Sequence, residues 1–218
     1  MHIVMVTIGT RGDVQPFVAV GKGLTRAGFR VTLATHEDYA SFVTEHGLGS
    51  RAIGGSFKQL IESDLGREWI ESSGSLLRFL ELSRRVYEPL VPAWLRDVHV
   101  AVSDADAVLF NGAAWRGAYD GAEKRGVPSV AIGLFPVWPN GDHSLFFPRA
   151  PWRWLRRWIG EQTLRWMAKI GRRAYDEYRR DLGLAPFRTA NPWREMLQAG
   201  VHFVHLYSRH IIGLVPPE

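Results

Sequence analysis

Asp13 is the lone carboxylate in the stretch TIGTRGDVQPF, set among Gly9, Thr10, Arg11 and Gly12 and followed by Pro16. Three chemistries suit a carboxylate in that setting. It could accept backbone N–H groups at the start of a helix, which contributes about 1 kcal/mol. It could neighbour a phosphate seated on the glycine-rich turn. It could take a proton from an attacking hydroxyl; the positive end of the following helix is then expected to lower its pKa and keep it ionised. The phosphate reading is the weakest. A dinucleotide fingerprint needs G-x-G-x-x-G, but Gly9 and Gly12 have the wrong spacing, and Gly21 and Gly23 fall well inside the expected helix. The second strand ends in Thr35-His36 instead of a ribose-binding acid, and no Gly-Lys-Ser/Thr follows as a P-loop would require.

Other reactive side chains are scattered. His36 is expected at the end of the second strand and Asn111 at the end of the fourth. Each can line a crevice there, or equally cap a helix or bond to a loop. Phe135 closes the fifth expected strand, and Asp142 and His143 follow in a loop where a substrate could lie. The Asp142-His143 pair suits acid–base or metal chemistry, and also a plain surface loop. His202 and His205 fall on opposite faces of a strand, which is poor metal geometry. The chain has no cysteine, so disulfides and thiolate sites are excluded. No metal site and no bound cofactor are expected.

The elements that must hold these residues alternate. HIVMVTI, RVTLAT, SRAI, AVLFN, SVAIGLF and VHFVHLYS read as strands. A helix is expected from Pro16 to a cap at Gly28, another over residues 37–47, mostly helical chain over residues 57–100, and a helix over residues 115–125. A Pro- and aromatic-rich loop over residues 136–151 leads to one long helix reaching about Leu182, then a short helix after Pro192. This rhythm implies an α/β fold, a Rossmann-like parallel sheet flanked by helices. In such sheets the working crevice lies at the carboxyl ends of the strands, where Asp13 projects.

With 46% apolar and 22% charged residues the chain is globular, and no apolar run approaches the length needed to span a bilayer. No signal peptide is evident, so a cytoplasmic location is expected. The net charge of +5 is uneven: residues 149–180 hold ten Lys or Arg against three acids. There Trp152, Trp154 and Trp158 interleave with Arg149, Arg153, Arg156 and Arg157, while Leu155, Ile159, Trp166, Ile170 and Ala174 share a helical stripe. The stripe implies a helix packed on the sheet. The Trp/Arg mixture also suits a peripheral membrane contact. No nucleic-acid module is recognisable, and no nucleic-acid partner is expected.

The stretch GTRGDVQPFVAVGKGLTRAGFRVTLATHEDYASFVTEHGL resembles the start of the sterol-glucosyltransferase-like enzymes of glycosyltransferase families 1 and 28. Gly9, Thr10, Arg11, Gly12, Asp13 and Pro16 match their G-T-R-G-D-x-x-P loop, and AGFRVTLATH matches their second strand, with Phe29 where His is usual. GAEKRGVPSVAI and HLYSRHIIGLVPPE resemble later segments, the second of which closes the amino-terminal domain in these enzymes.

The resemblance implies the amino-terminal half of a GT-B fold: an acceptor-binding domain over residues 1–210 and the start of an interdomain linker over 211–218. It implies inverting, metal-independent transfer of a hexose from a nucleotide sugar such as UDP-glucose to a hydroxyl of a sterol-, lipid- or natural-product-like acceptor. Asp13 matches the residue proposed as general base in related enzymes, and Arg11 either helps hold the donor diphosphate or packs on the next loop. Two segments depart from the pattern: GAYDGAEKRGVP carries Asp120 near where a His is often found, and FPVWPNGDH replaces a PxxPT loop. The acceptor pocket is therefore expected to differ from that of typical members. No second nucleotide-sugar motif appears. A carboxyl-terminal donor-binding domain or separate subunit is expected as partner, and the chain alone is not expected to transfer sugar. The alternative is a non-catalytic binding module for a hydrophobic or lipid-like ligand.

Overall fold

The computed structural model describes residues 1–135 and 152–208. The run HIVMV forms β1 (His2–Val6), buried along its whole length. Its side chains alternate between two cores, as the two-residue period of a strand requires. Val4 and Val6 join Trp94, Phe110 and Trp115 on one face. Ile3 and Met5 join Phe17, Leu33 and Val43 on the other. A strand apolar on both faces belongs inside a parallel sheet covered by helices on both sides.

The remaining elements follow in order. After β1 come α1 (Arg11–Arg26), β2 (Arg30–His36), α2 (Ala40–Glu45) and β3 (Gly49–Ile53). Four helices succeed one another: α3 (Phe57–Glu62), α4 (Asp64–Glu71), α5 (Leu76–Tyr87) and α6 (Val91–Val102). Then come β4 (Ala107–Asn111), α7 (Trp115–Arg125), β5 (Ser129–Gly133), α8 (Arg153–Met167), α9 (Arg172–Asp181), α10 (Pro192–Gln198) and β6 (His202–His205). The strands lie in the order β3-β2-β1-β4-β5-β6, and every adjacent pair is parallel. The order reverses between β1 and β4, so the carboxyl ends of these two central strands open the crevice that a doubly wound sheet offers to ligands.

Two expected boundaries are corrected. The first helix starts at Arg11, not at Pro16, because Thr10 and Asp13 form a capping box at its first turn. Pro16 lies inside the helix. Its missing N–H would have reached the carbonyl of Gly12, which is solvent-exposed, so the loss falls where it matters least. The expected long helix is instead two, α8 and α9. Gly171 between them has φ +64°, and a Cβ there would come within 2.9 Å of the Val91 side chain. The chain turns at that point in a conformation that glycine alone adopts without strain, against a neighbour that leaves no room for another residue.

The expected basic helix has two unlike faces. Trp152, Trp154 and Trp158 are more than half exposed, whereas Thr163 is buried. No helix among the described residues is long and apolar enough to cross a membrane.

Candidate active site

At the carboxyl ends of β1, β4 and β5 the described residues bound a cavity of about 610 Å³. That volume is in the range of small-molecule sites. Its walls are mainly apolar: Phe57 and Ile61 of α3, Trp69 of α4, Phe79 of α5, Trp94 of α6, Trp115 of α7, and Leu164 and Met167 of α8. Polar groups are few: Thr10 and Asp13 at one edge, with Tyr87, Asn111, Arg116, Thr163 and His205 elsewhere on the lining.

Asp13 is held by the helix start that it helps to build. Its Oδ2 accepts the Thr10 N–H at 2.8 Å and the Thr10 hydroxyl at 3.2 Å, while Thr10 Oγ1 accepts the Gly12 N–H at 3.2 Å. Gly9 makes this seat possible. Its φ is +146°, and a Cβ at that position would stand 2.2 Å from Asp13 Oδ2. The expected electrostatics are corrected here. Burial outweighs the hydrogen bonds from Thr10 and raises the pKa of Asp13 above the usual carboxylate range. A carboxylate whose pKa is tuned upward is a stronger proton acceptor than an exposed aspartate.

The other sequence candidates occupy different places. Asn111 is buried and ties β4 to the loop after β1: its amide donates to the Ile8 carbonyl at 3.0 Å, and its Oδ1 accepts from Ala114 at 3.0 Å. It faces the cavity with its hydrogen bonds already committed to the frame. His36 does not line the cavity. It is 1% exposed, with Nδ1 3.3 Å from the Ile53 carbonyl, and its ring stacks on Phe57 and lies beside Trp94, behind the aromatic wall. Burial lowers its pKa. Arg11 is exposed, with its guanidinium 5.2 Å above the Phe42 ring. Gly12 is exposed on the first turn of α1. Phe135 lines the cavity at its open edge. Asp142 and His143 lie outside the described residues.

Four lining residues escaped the sequence reading of the site. Tyr87 closes α5 with its phenol near enough to Asp13 to feel that charge, and burial drives its pKa well up. Arg116 sits at a break in α7, where Gly117 adopts φ +78°. Thr163 bonds back to the Ile159 carbonyl at 2.9 Å. His205 faces the cavity from β6, with its pKa lowered by burial. No local pattern marks Tyr87 or Arg116, because tertiary packing alone brings them to this edge. Beside the cavity, Asp120 is completely buried and accepts from Tyr175 at 2.9 Å and from Arg179, which also pairs with Glu123 at 2.9 Å. Asp120 is thus part of an ionic core that bolts α9 to α7. Among the described residues no three His, Cys, Asp or Glu side chains gather closely enough to hold a metal ion.

Comparison with known proteins agrees with this architecture. Residues 3–141 match the glycosyltransferase family 28 N-terminal domain. A sterol 3-beta-glucosyltransferase of Arabidopsis thaliana is 30% identical over 222 residues, covering 97% of this chain and 35% of the plant protein. An uncharacterized glycosyltransferase of Mycobacterium tuberculosis is 30% identical over 199 residues, covering 89% of this chain and 46% of its own length. The crystal structure of the glycotransferase of kitacinnamycin superposes with a TM-score of 0.59 at 20% identity, over 95% of this chain and 46% of that one. The chain thus spans less than half the length of these relatives. The parallel sheet, its helical flanks and the first-strand loop are those of the amino-terminal half of a GT-B fold, and the chain belongs to the glycosyltransferase family 28 N-terminal domain family.

Proposed function

We propose that the chain is the acceptor-binding half of an inverting, metal-independent glycosyltransferase. The observation that carries this is a single half-buried carboxylate, Asp13, at the edge of a large apolar cavity over the carboxyl ends of the central strands. In this reading a hydrophobic acceptor fills the cavity and presents a hydroxyl to Asp13. The carboxylate takes the hydroxyl proton as the oxygen attacks the anomeric carbon of a nucleotide sugar such as UDP-glucose. The bond to the nucleoside diphosphate breaks on the opposite side, which inverts the configuration. General-base assistance of this kind supplies about 10²–10⁴-fold. The sugar donor is held by a second domain or subunit across the cleft, and the reading is supported by the greater length of every relative compared above. The sterol glucosyltransferase name of the plant relative supports a hydrophobic alcohol as acceptor. The exposed tryptophans of α8, with Arg153, Arg156 and Arg157, suit a peripheral approach to the membrane from which such an acceptor would be drawn.

A second reading rests on the capping box. Because Asp13 already satisfies the helix start, its presence is accounted for without catalysis, and the domain then only binds a hydrophobic ligand. Reconstitution separates the two. The chain is combined with a donor-binding half from a relative and supplied with radiolabelled UDP-glucose and a sterol. Product from the pair, abolished by Asp13→Asn, supports catalysis; product undiminished by Asp13→Asn leaves only the cap.

A further inference from the structure

The cavity wall carries a half-buried cation that no carboxylate among the described residues pairs with directly. Arg116 donates from Nη2 to the Ala168 carbonyl at 2.9 Å, at the carboxyl end of α8. Its Nε is buried and has no hydrogen-bond partner. No carboxylate pairs with Arg116 among the described residues, in contrast to the two arginines nearby. Arg172 is paired with Asp176 at 2.9 Å, and Arg179 with Asp120 and Glu123. The oxygens of Asp120 are already engaged by Tyr175, Arg179 and the Gly117 N–H. The rings of Trp115 and Tyr175 flank the guanidinium at 4.8 and 5.5 Å, which softens the burial of charge without ending it. Burial pulls its pKa down to about 10, so it remains a cation at neutral pH.

The local chain explains how it comes to be there. Arg116 has extended backbone angles, and Gly117 after it is left-handed, so the side chain leaves before the regular part of α7 begins. A Cβ on Gly117 would press on Val98 at 3.1 Å. The turn is therefore specific to glycine, and it directs Arg116 toward α8 and the cavity. Holding the end of α8 occupies one nitrogen of the fork. A guanidinium has five N–H groups, and a buried charged donor left unmet is costly unless something arrives to meet it.

We infer that the cavity takes amphiphiles carrying an anionic oxygen group (carboxylate, sulfonate or phosphate) on an apolar body, and that Arg116 receives that group. The inference rests on the reading of this cavity as the acceptor site and narrows the acceptor class from neutral alcohols to hydroxylated anions. The reacting hydroxyl meets Asp13 and the anion meets Arg116, so two opposite charges on one apolar lining set the direction in which the ligand lies.

The test compares two fluorescent probes of nearly the same shape, 1-anilinonaphthalene-8-sulfonate and its uncharged counterpart N-phenyl-1-naphthylamine, titrated into the full chain. The sulfonate should bind about 10-fold or more tightly, the increment expected of a charge-assisted contact. Arg116→Gln should remove that preference while leaving the affinity for the neutral probe within about two-fold, and Arg116→Lys should retain part of it. Arg165→Gln on the exposed side of α8 should leave it unchanged; loss of the preference there instead would assign the anion to the surface and overturn the inference. Because Arg116 also supports α8, a second measurement uses the unmodified chain alone. Dodecanoate should displace the neutral probe at about 10-fold lower concentration than dodecanol. Equal affinities of the two probes, or equal displacement by acid and alcohol, would refute the anion site and leave sugar transfer untouched. Absence of transfer in the reconstituted enzyme both to a sterol and to a hydroxylated fatty acid would instead remove the acceptor reading and leave the binding preference standing.

Discussion

Replacement of Asp13 by asparagine separates a cap from a base, because the two roles ask different things of the side chain. The cap needs an oxygen where Oδ2 accepts the Thr10 N–H at 2.8 Å, and an asparagine amide can supply one. What is lost is a charge at a helix amino terminus, worth about 0.3–1 kcal/mol. What is gained is relief from keeping a carboxylate ionised where burial raises its pKa. The terms oppose each other, so the stability of Asp13→Asn should stay within about 1 kcal/mol of the parent. The reaction has no such compensation: an amide cannot take the proton, and transfer should fall by about 10²–10⁴-fold, or roughly 3–5 kcal/mol in the barrier. The pH dependence adds a second signature. The folded state binds this proton more tightly than the unfolded chain does. Asp13 therefore contributes stability below the ordinary aspartate range, and that contribution is lost as pH rises through the elevated folded value. Transfer should rise through the same elevated value in the parent. Both features should vanish in Asp13→Asn. Urea denaturation across pH, beside transfer assays with a donor-binding half, reads all of this. An Asn variant that is well folded and within a few-fold of parental activity would refute the base.

Other variants probe the surroundings. Gly9→Ala forces a side chain toward Asp13 Oδ2 at a φ of +146°; it should lower stability by about 1–3 kcal/mol and cut transfer by displacing the carboxylate, checked by thermal melting and activity on the same sample. Asp120→Asn leaves the buried Arg179 with Glu123 as its one ion-pair partner among the described residues, and should cost about 3 kcal/mol by urea denaturation; a loss below about 1 kcal/mol would show that the ionic core is dispensable. Arg156→Glu combined with Arg157→Glu should abolish salt-sensitive co-sedimentation with vesicles rich in anionic lipid. Undiminished sedimentation would remove the membrane contact.

The central strands β1, β4 and β5 were legible because each is a short, largely apolar run, and β1 in particular has no polar side chain except His2 at its start. The beginning of α1 was misread for a definite reason. Pro16 is a familiar first-turn residue, yet the T-x-x-D pattern of Thr10 and Asp13 was the stronger start signal, and it prevailed. The interruption between α8 and α9 was hidden because the helical stripe continues across Gly171, and only the closeness of Val91 makes the turn obligatory. At the site, Asp13 could be found from its loop, since its seat is built by neighbours within four residues. His36 could not be placed, because whether the end of a strand faces the crevice depends on which helices stand beside it, here those carrying Phe57 and Trp94. Tyr87 and Arg116 were illegible for the same reason: each reaches the cavity by the packing of elements distant in sequence.

The seating of Asp13 in the first turn of α1 and of Asn111 at the end of β4 has a consequence for how such domains diversify. Asp13 is anchored within its own turn, and Asn111 clasps β4 to the loop after β1, so this corner is held by contacts from that loop and not from α3–α6 or α8. The apolar walls come from α3 to α8, and none of their side chains is a hydrogen-bond partner of Asp13 or Asn111. The domain is therefore modular in the engineer's sense: transplanting the α3–α5 segment between relatives should change which apolar ligands the cavity prefers, while Asp13 keeps its seat.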